Sequence, residues 1–117
     1  MSKQILKAVN LSKSYPGRFE ALEVVKNVSL TLSSGELVMI IGPSGSGKSS
    51  LLYLLSGLRN PTTGHVLVLD TSYAEMTDKE RANLRYNHYG FVMQQRFLVP
   101  YLNCVENVCI GKPKDLK

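Results

Sequence analysis

Gly42-Pro43-Ser44-Gly45-Ser46-Gly47-Lys48-Ser49 is the stretch that decides how this chain is read. It carries glycine, four residues, glycine, lysine and serine in the order of a phosphate-binding loop, and each fixed position has a physical task. Glycine lacks a Cβ, so the backbone turns through positive φ and approaches a phosphate closely. Successive N–H groups then point inward as an anion-binding nest, reinforced by the positive end of the helix that starts near Lys48. Lys48 has the reach to meet β- and γ-phosphates, and the Ser49 hydroxyl is placed to ligate Mg²⁺, a hard cation that prefers oxygen. The octet predicts binding of a nucleoside triphosphate, with Gly42, Pro43, Ser44, Gly45, Ser46, Gly47, Lys48, Ser49 and Ser50 lining the phosphate site.

The flanks supply the context that such a loop needs. Before it, Leu37-Val38-Met39-Ile40-Ile41 is continuously apolar, which predicts a strand buried on both faces. After it, Leu51, Leu54, Leu55 and Leu58 recur at helical spacing, and Gly57 and Pro61 supply the stop. Strand, loop and helix in that order distinguish the motif from a flexible Gly/Ser-rich linker.

Further out, residues 1–35 read as a β-rich layer and residues 36–117 as the phosphate-loop core. Ile5 to Leu11 suits a first strand and Pro16-Gly17 a turn. Ala21 to Val25 suits a short strand, and Val28-Ser29-Leu30-Thr31-Leu32 alternates as a half-buried one should. Ser33-Ser34-Gly35 then turns the chain toward Leu37. Beyond the helix, Pro61-Thr62-Thr63-Gly64 reads as a turn and His65 to Leu69 as a strand, closed by Asp70, which makes a turn rather than a metal site. Thr77 with Glu80 forms a capping box for a helix to about Tyr86. Tyr89 to Met93 reads as the next strand and delivers Gln94-Gln95 at its carboxyl end, where ligands of α/β sheets lie. A loop with Pro100 leads to a second capping box, Asn103 with Glu106, and a short helix ending near Gly111 and Pro113.

Composition bounds the rest. A chain of 117 residues, 44% apolar and 20% charged, suits one ordinary globular domain. The net charge of +5 is spread without a basic block interleaved with aromatics, which argues against nucleic acid. No apolar run approaches the ~18 residues of a spanning helix, and Met1 to Leu11 is too polar for a signal peptide, so membrane association has to come through a partner. Cys104 and Cys109 lack the close paired spacing of a zinc or redox site and read as free thiols.

Three stretches together resemble the first half of the ATP-binding subunit of an ABC transporter: LSKSYPGRFEALEVVKNVSLTLSSGELVMIIGPSGSGKSSLLYLLSGL, PTTGHV and GFVMQQRFLVPYLNCVENV. The resemblance covers nearly the whole chain. DKERANLR before GFVMQQ is similar to the branch that serves macrolide exporters and lipoprotein-release complexes. The resemblance implies an α/β fold, a P-loop NTPase core of the ABC ATPase type, truncated, with an N-terminal antiparallel β layer. It implies ATP and Mg²⁺ as ligands. Tyr15 matches the aromatic residue that stacks on adenine. Gln94 matches the glutamine that contacts Mg²⁺ and the attacking water and links the site to the membrane partner, with Gln95 in that role if the register slips by one. Phe97 to Val108 resembles the surface that docks on a transmembrane permease subunit, with Asn103 in place of the more usual threonine, an equally good cap. A second nucleotide-binding subunit is a further implied partner, and the implied location is cytoplasmic, on the inner face of the cell membrane. His65 and His88 match no catalytic position.

The family places its signature loop, the aspartate strand with the catalytic glutamate, and the switch histidine after the segment where this sequence stops. The residues after Gln95 contain no Ser-Gly-Gly and no apolar strand ending in Asp-Glu. Phosphoryl transfer depends on positioning and on charge stabilisation by Mg²⁺ and its ligands. The expectation is therefore Mg-ATP binding without efficient turnover by this chain alone, Gln94 being the one candidate water contact. A partial domain of this kind, whether from a truncated gene, a frameshift or an N-terminal fragment, is expected to have unpaired strand edges and exposed apolar surface. Two other readings compete. Guanylate-kinase-type nucleotide kinases also use a GPSG loop, although usually near the N-terminus, whereas 41 residues precede it here. A non-catalytic remnant or regulatory module would pair with a membrane subunit, or with a separately encoded second half, through Phe97 to Val108.

Overall fold

In the computed structural model, which describes residues 3–94 and 98–110, two long strands carry the frame. β1 (Gln4–Tyr15) and β2 (Leu22–Ser33) pair antiparallel, and β3 (Thr63–Val68) and β4 (Thr71–Ser72) complete a sheet of order β2-β1-β3-β4. The helices are α1 (Lys48–Leu55), α2 (Asp78–His88) and α3 (Cys104–Cys109), with one 3-10 turn at Tyr73–Glu75. The alternation expected of Val28 to Leu32 is present: Val28, Leu30 and Leu32 are half-buried while Ser29 and Thr31 are exposed.

The two strands expected at Ala21 to Val25 and Val28 to Leu32 are one. Asn27 interrupts the ladder as a bulge with φ 47°, and Asn10 does the same in β1 with φ 48°. Asparagine tolerates the left-handed region better than most residues. The amides freed by these bulges find serines: Asn27 N–H donates to Ser12 Oγ and Asn10 N–H to Ser29 Oγ, each at 2.9 Å. β3 begins at Thr63, so Thr63 and Gly64 belong to the strand and not to the turn expected there. Leu69 falls outside it. Leu69 and Asp70, at φ 49° and 68°, form the two-residue connection to β4, the positive-φ pattern that suits the twist of a tight hairpin.

α1 packs its apolar stripe on the sheet. Leu51 and Leu54 join Ala8, Leu11, Val25, Val66, Val68 and Tyr73 in one core, and Leu11 and Leu54 are its fully buried members. Burying such a side chain contributes about 1.5–3 kcal/mol. The helix stops at Leu55, before the Leu58 that the apolar spacing included, and Gly57 supplies the expected stop. Gly57, at φ 74°, takes the left-handed position after the cap, with Gly57 N–H bonded to Leu54 O and Leu58 N–H to Tyr53 O. α2 starts at the Thr77 hydroxyl, which accepts from Glu80 N–H at 3.2 Å, and runs to His88, slightly beyond the expected Tyr86.

A tyrosine pair joins these parts. Tyr73 O–H donates to Leu55 O at 2.9 Å at the end of α1, and Tyr89 O–H is bonded to the Tyr73 oxygen. Arg85 Nη1 donates to Gly57 O at 2.9 Å beside them. Burial pushes the Tyr73 phenol well above its usual range, the bond with Tyr89 adds to the rise, and burial likewise raises Tyr89. Both phenols therefore stay protonated in the folded chain at a pH where the unfolded chain ionises them. Their contribution to stability is complete below the unfolded pKa of about 10 and is lost as pH rises past it. The melting temperature should be flat from about pH 7 to 9 and fall between about pH 10 and 11, and Tyr73→Phe should shrink that fall; thermal melts followed by circular dichroism check this.

Two expected strands are not strands. Leu37 to Ile41 and Tyr89 to Met93 carry no strand pairing, and Leu37, Met39, Ile41 and Val92 are 91%, 74%, 83% and 101% exposed. A strand apolar on both faces needs bonded neighbours at its edges and layers over its faces. Among the described residues, all four strands belong to the antiparallel sheet and none pairs with either segment. The exposed apolar surface expected of a partial domain is thus present in these two segments.

Candidate functional site

The loop from Gly42 to Gly47 joins the apolar 37–41 segment to α1. Gly45 and Gly47 sit at φ 78° and 95°, and Ser46 N–H closes a turn onto Pro43 O at 3.2 Å. Gly47 is the N-cap residue of α1 in the left-handed conformation, and Leu51 N–H bonded to Gly47 O at 2.9 Å opens the helix. A Cβ on Gly47 would overlap the Val24 carbonyl of β2, so only glycine lets the loop lie this close to the sheet. A Cβ on Gly45 would meet nothing within 4 Å, so that part of the loop faces open space.

α1 has no side-chain cap and no acidic residue in its first turn. Its first N–H donors and the positive end of its dipole remain available to an anion. Lys48 Nζ folds back over the loop, donating to Gly42 O and, at 2.9 Å, to Pro43 O. The ammonium is held by carbonyls that a phosphate oxygen would replace. Ser49, the expected Mg²⁺ ligand, is exposed at the first turn of α1, with Ser50 half-buried beside it. Cationic nitrogen, backbone N–H groups and hydroxyls, without an acidic side chain among residues 42–50, form a donor set that fits a polyphosphate.

Tyr15 ends β1 opposite Leu22, on the hairpin whose second strand backs Gly47 through Val24, and Lys13 Nζ lies 5.1 Å from its ring centroid. The ring is half-buried, leaving part of it open to a stacking partner. Gln94 is exposed and lines, with Ser49, a groove of about 950 Å³. The start of the segment that carries Gln94 is fixed by Tyr89 through Tyr73 to the end of α1. Sequence reading missed this tie, because Tyr73 and Tyr89 lie on opposite sides of α2 and no local pattern links them. Gln95, the alternative glutamine, Phe97, the first residue of the docking stretch, and Gly111 and Pro113 lie outside the described residues.

In the rest of that stretch, Leu98, Tyr101, Val105 and Val108 are exposed. The capping box is complete: Asn103 Oδ1 accepts from Glu106 N–H at 2.8 Å, and Glu106 Oε1 from Asn103 N–H at 3.2 Å. Asn107 organises the loop before α3, accepting from Val99 N–H at 2.8 Å and donating to Leu102 O at 3.0 Å. Spacing alone marked Asn107 only as a helix residue. His65 lies exposed on β3, and His88 ends α2 at the rim of the groove. Asp70 occupies the tight turn, as expected. Among the described residues no helix is long and apolar enough to cross a membrane.

A glycine-built loop lying on a sheet, opening into an uncapped helix under a lysine, defines a protein of the phosphate-binding-loop class. Residues 25–117 match the ABC transporter family, and the chain belongs to it. It is 43% identical over 97% of its length to the lipoprotein-releasing system ATP-binding protein LolD of Alcanivorax borkumensis, covering 53% of that protein. It is 42% identical over 92% of its length to the same-named protein of Legionella pneumophila, covering 48% of it. Among solved structures, a dimeric bacterial ABC transporter cassette matches at TM-score 0.86 and 38% identity, with 92% of this chain and 46% of that one covered. A dimeric post-hydrolysis state of an ATP-binding cassette bound to ADP and Pi matches at TM-score 0.85 and 38% identity, with the same coverage. The α/β cassette fold with its antiparallel N-terminal layer is thus the fold of this chain, and lipoprotein release is the side of the branch that its relatives occupy. The chain spans about half the length of the curated relatives it matches.

Proposed function

We propose that this chain is the nucleotide-holding half of an ABC transporter's ATP-binding subunit, taking Mg-ATP in the Gly42–Ser50 loop. The observation that supports this most is Lys48, poised over a loop whose Gly47 backbone lies against β2. Lys48 and the loop N–H groups would hold the β- and γ-phosphates, Ser49 and Gln94 would hold Mg²⁺, and Tyr15 would stack on the adenine. Mg²⁺ held there would supply positive charge that offsets the charge of the phosphates. The chain supplies the phosphate cradle; the resemblance assigns the aspartate strand and the catalytic glutamate to the half of the relatives that it does not span. Alone, it binds Mg-ATP without efficient turnover. The exposed Leu98 to Val108 surface docks on a transmembrane subunit and so holds the chain at the inner face of the membrane, where a second nucleotide-binding subunit joins it.

Base stacking on an aromatic ring is worth about 1–3 kcal/mol, so Tyr15→Ala should weaken Mg-ATP binding by about five- to a hundredfold. Binding of inorganic triphosphate, which has no base, should be unchanged. Isothermal titration of both ligands reads the difference. Equal losses for both would assign Tyr15 to the fold and not to the adenine.

A further inference from the structure

Tyr15 is held by more than its own strand. Lys13, two residues earlier on β1 and half-buried like the tyrosine, lays its ammonium 5.1 Å from the ring centroid, and the same Nζ donates to Asn60 O at 2.8 Å. Asn60 lies in the loop that leaves α1, and Arg81 Nη1 of α2 donates to its Oδ1 at 2.8 Å. That loop also grips the end of β1: Thr62 N–H donates to Ser12 O at 2.8 Å, and Ser14 N–H to Thr62 Oγ1 at 3.0 Å. On the other side, Lys13 pairs with Val25, next to the Val24 carbonyl that backs Gly47. The strand end that carries the ring is thus fixed to the phosphate loop twice, across β2 at Gly47 and through the far end of α1.

We propose that Lys13 is a positioning residue for the nucleotide base: anchored by Asn60, its ammonium occupies one face of the Tyr15 ring and leaves the other for adenine. The proposal rests on the reading of Tyr15 as the base-stacking residue and names what prepares that residue. Two effects follow from a cation at this distance. Attraction to the ring's negative face holds the tyrosine in one of its three staggered χ1 wells, so a larger fraction of the free chain is ready to receive the base. The ammonium also draws π-density toward its own side, which makes the opposite face less repulsive to the π-cloud of a purine. The partners of the ammonium are a ring and the Asn60 carbonyl, and neither belongs to the phosphate loop. Its influence should therefore follow the base and not the phosphates, the reverse of Lys48.

The test titrates Mg-ATP and inorganic triphosphate calorimetrically into the 117-residue chain and into Lys13→Met, Lys13→Arg, Tyr15→Ala and the Lys13→Met/Tyr15→Ala pair. Lys13→Met, which keeps the length of the side chain and removes its charge, should weaken Mg-ATP binding by about three- to tenfold and leave triphosphate binding unchanged. Lys13→Arg should restore most of the affinity, because a guanidinium also lies over an aromatic face. With Tyr15→Ala already in place, Lys13→Met should cost nothing further. Equal losses for both ligands would make Lys13 a structural or phosphate-binding residue and overturn the proposal. An undiminished loss in the Tyr15→Ala background would overturn it too, since Lys13 would then act without the ring. If Tyr15→Ala selectively weakens Mg-ATP while Lys13→Met does not, the role of Lys13 falls and the reading of Tyr15 stands. If Tyr15→Ala shows no selective loss, both fall together.

Discussion

Lys48→Ala is expected to weaken Mg-ATP binding by about 10- to 100-fold, the largest change in affinity that a single side chain should produce here. Among the described residues Lys48 Nζ is the cation bonded over the loop, to Gly42 O and Pro43 O. Hydrogen bonds to charged groups are worth about 1.5–3 kcal/mol, and about 1.4 kcal/mol is tenfold in affinity. In the free chain the same ammonium serves two carbonyls close to solvent, and water replaces it there at little cost. The melting temperature of the variant should therefore stay close to that of the parent while affinity falls. Calorimetric titration and a thermal melt on the same preparation separate the two effects, and unchanged affinity would remove Lys48 from the site.

Gly47→Ala should damage both folding and binding. At φ 95° a non-glycine residue costs about 1–2 kcal/mol in backbone conformation alone. The added Cβ would also overlap the Val24 carbonyl, a backbone atom that no rotamer change can move aside. The loop must lift from β2, so stability should fall by about 1–3 kcal/mol or more and Mg-ATP binding by at least about tenfold. Gly45→Ala carries the backbone cost without the overlap, because Gly45 has a similar positive φ of 78° and open space around its Cβ. Denaturant melts of the two variants should show Gly47→Ala as clearly the worse. Equal losses would mean that contact with β2 plays no part in holding the loop.

These two residues also mark how far the sequence could be read. The need for glycine at position 47 followed from the motif, because a phosphate nest requires positive φ, but the atom that enforces it, Val24 O, belongs to a strand more than twenty residues away. Local chemistry was legible in the same way elsewhere. The caps at Thr77 and Asn103, the stop at Gly57 and the alternation of Val28 to Leu32 all act within a few residues, and all appear in the structure. The bulge at Asn27 was not legible, since it depends on Ser12 across the ladder to satisfy its amide. Nor was the link from Tyr89 through Tyr73 to Leu55, which joins residues far apart in the chain.

Leu37 to Ile41 teaches the opposite lesson. Its composition describes a doubly buried strand, and the segment stays unpaired and exposed because sheet formation depends on neighbours. Composition reported the environment that the segment is suited to, and the structure reported the partners present. Among the described residues no strand pairs with the segment, and that is why the two differ.

The measurement that bears most directly on the central claim is a calorimetric titration of the purified 117-residue chain with Mg-ATP. The loop geometry predicts saturable binding of one nucleotide per chain, competed by ADP. Absence of any saturable binding, by a chain that circular dichroism shows to be folded, would contradict it.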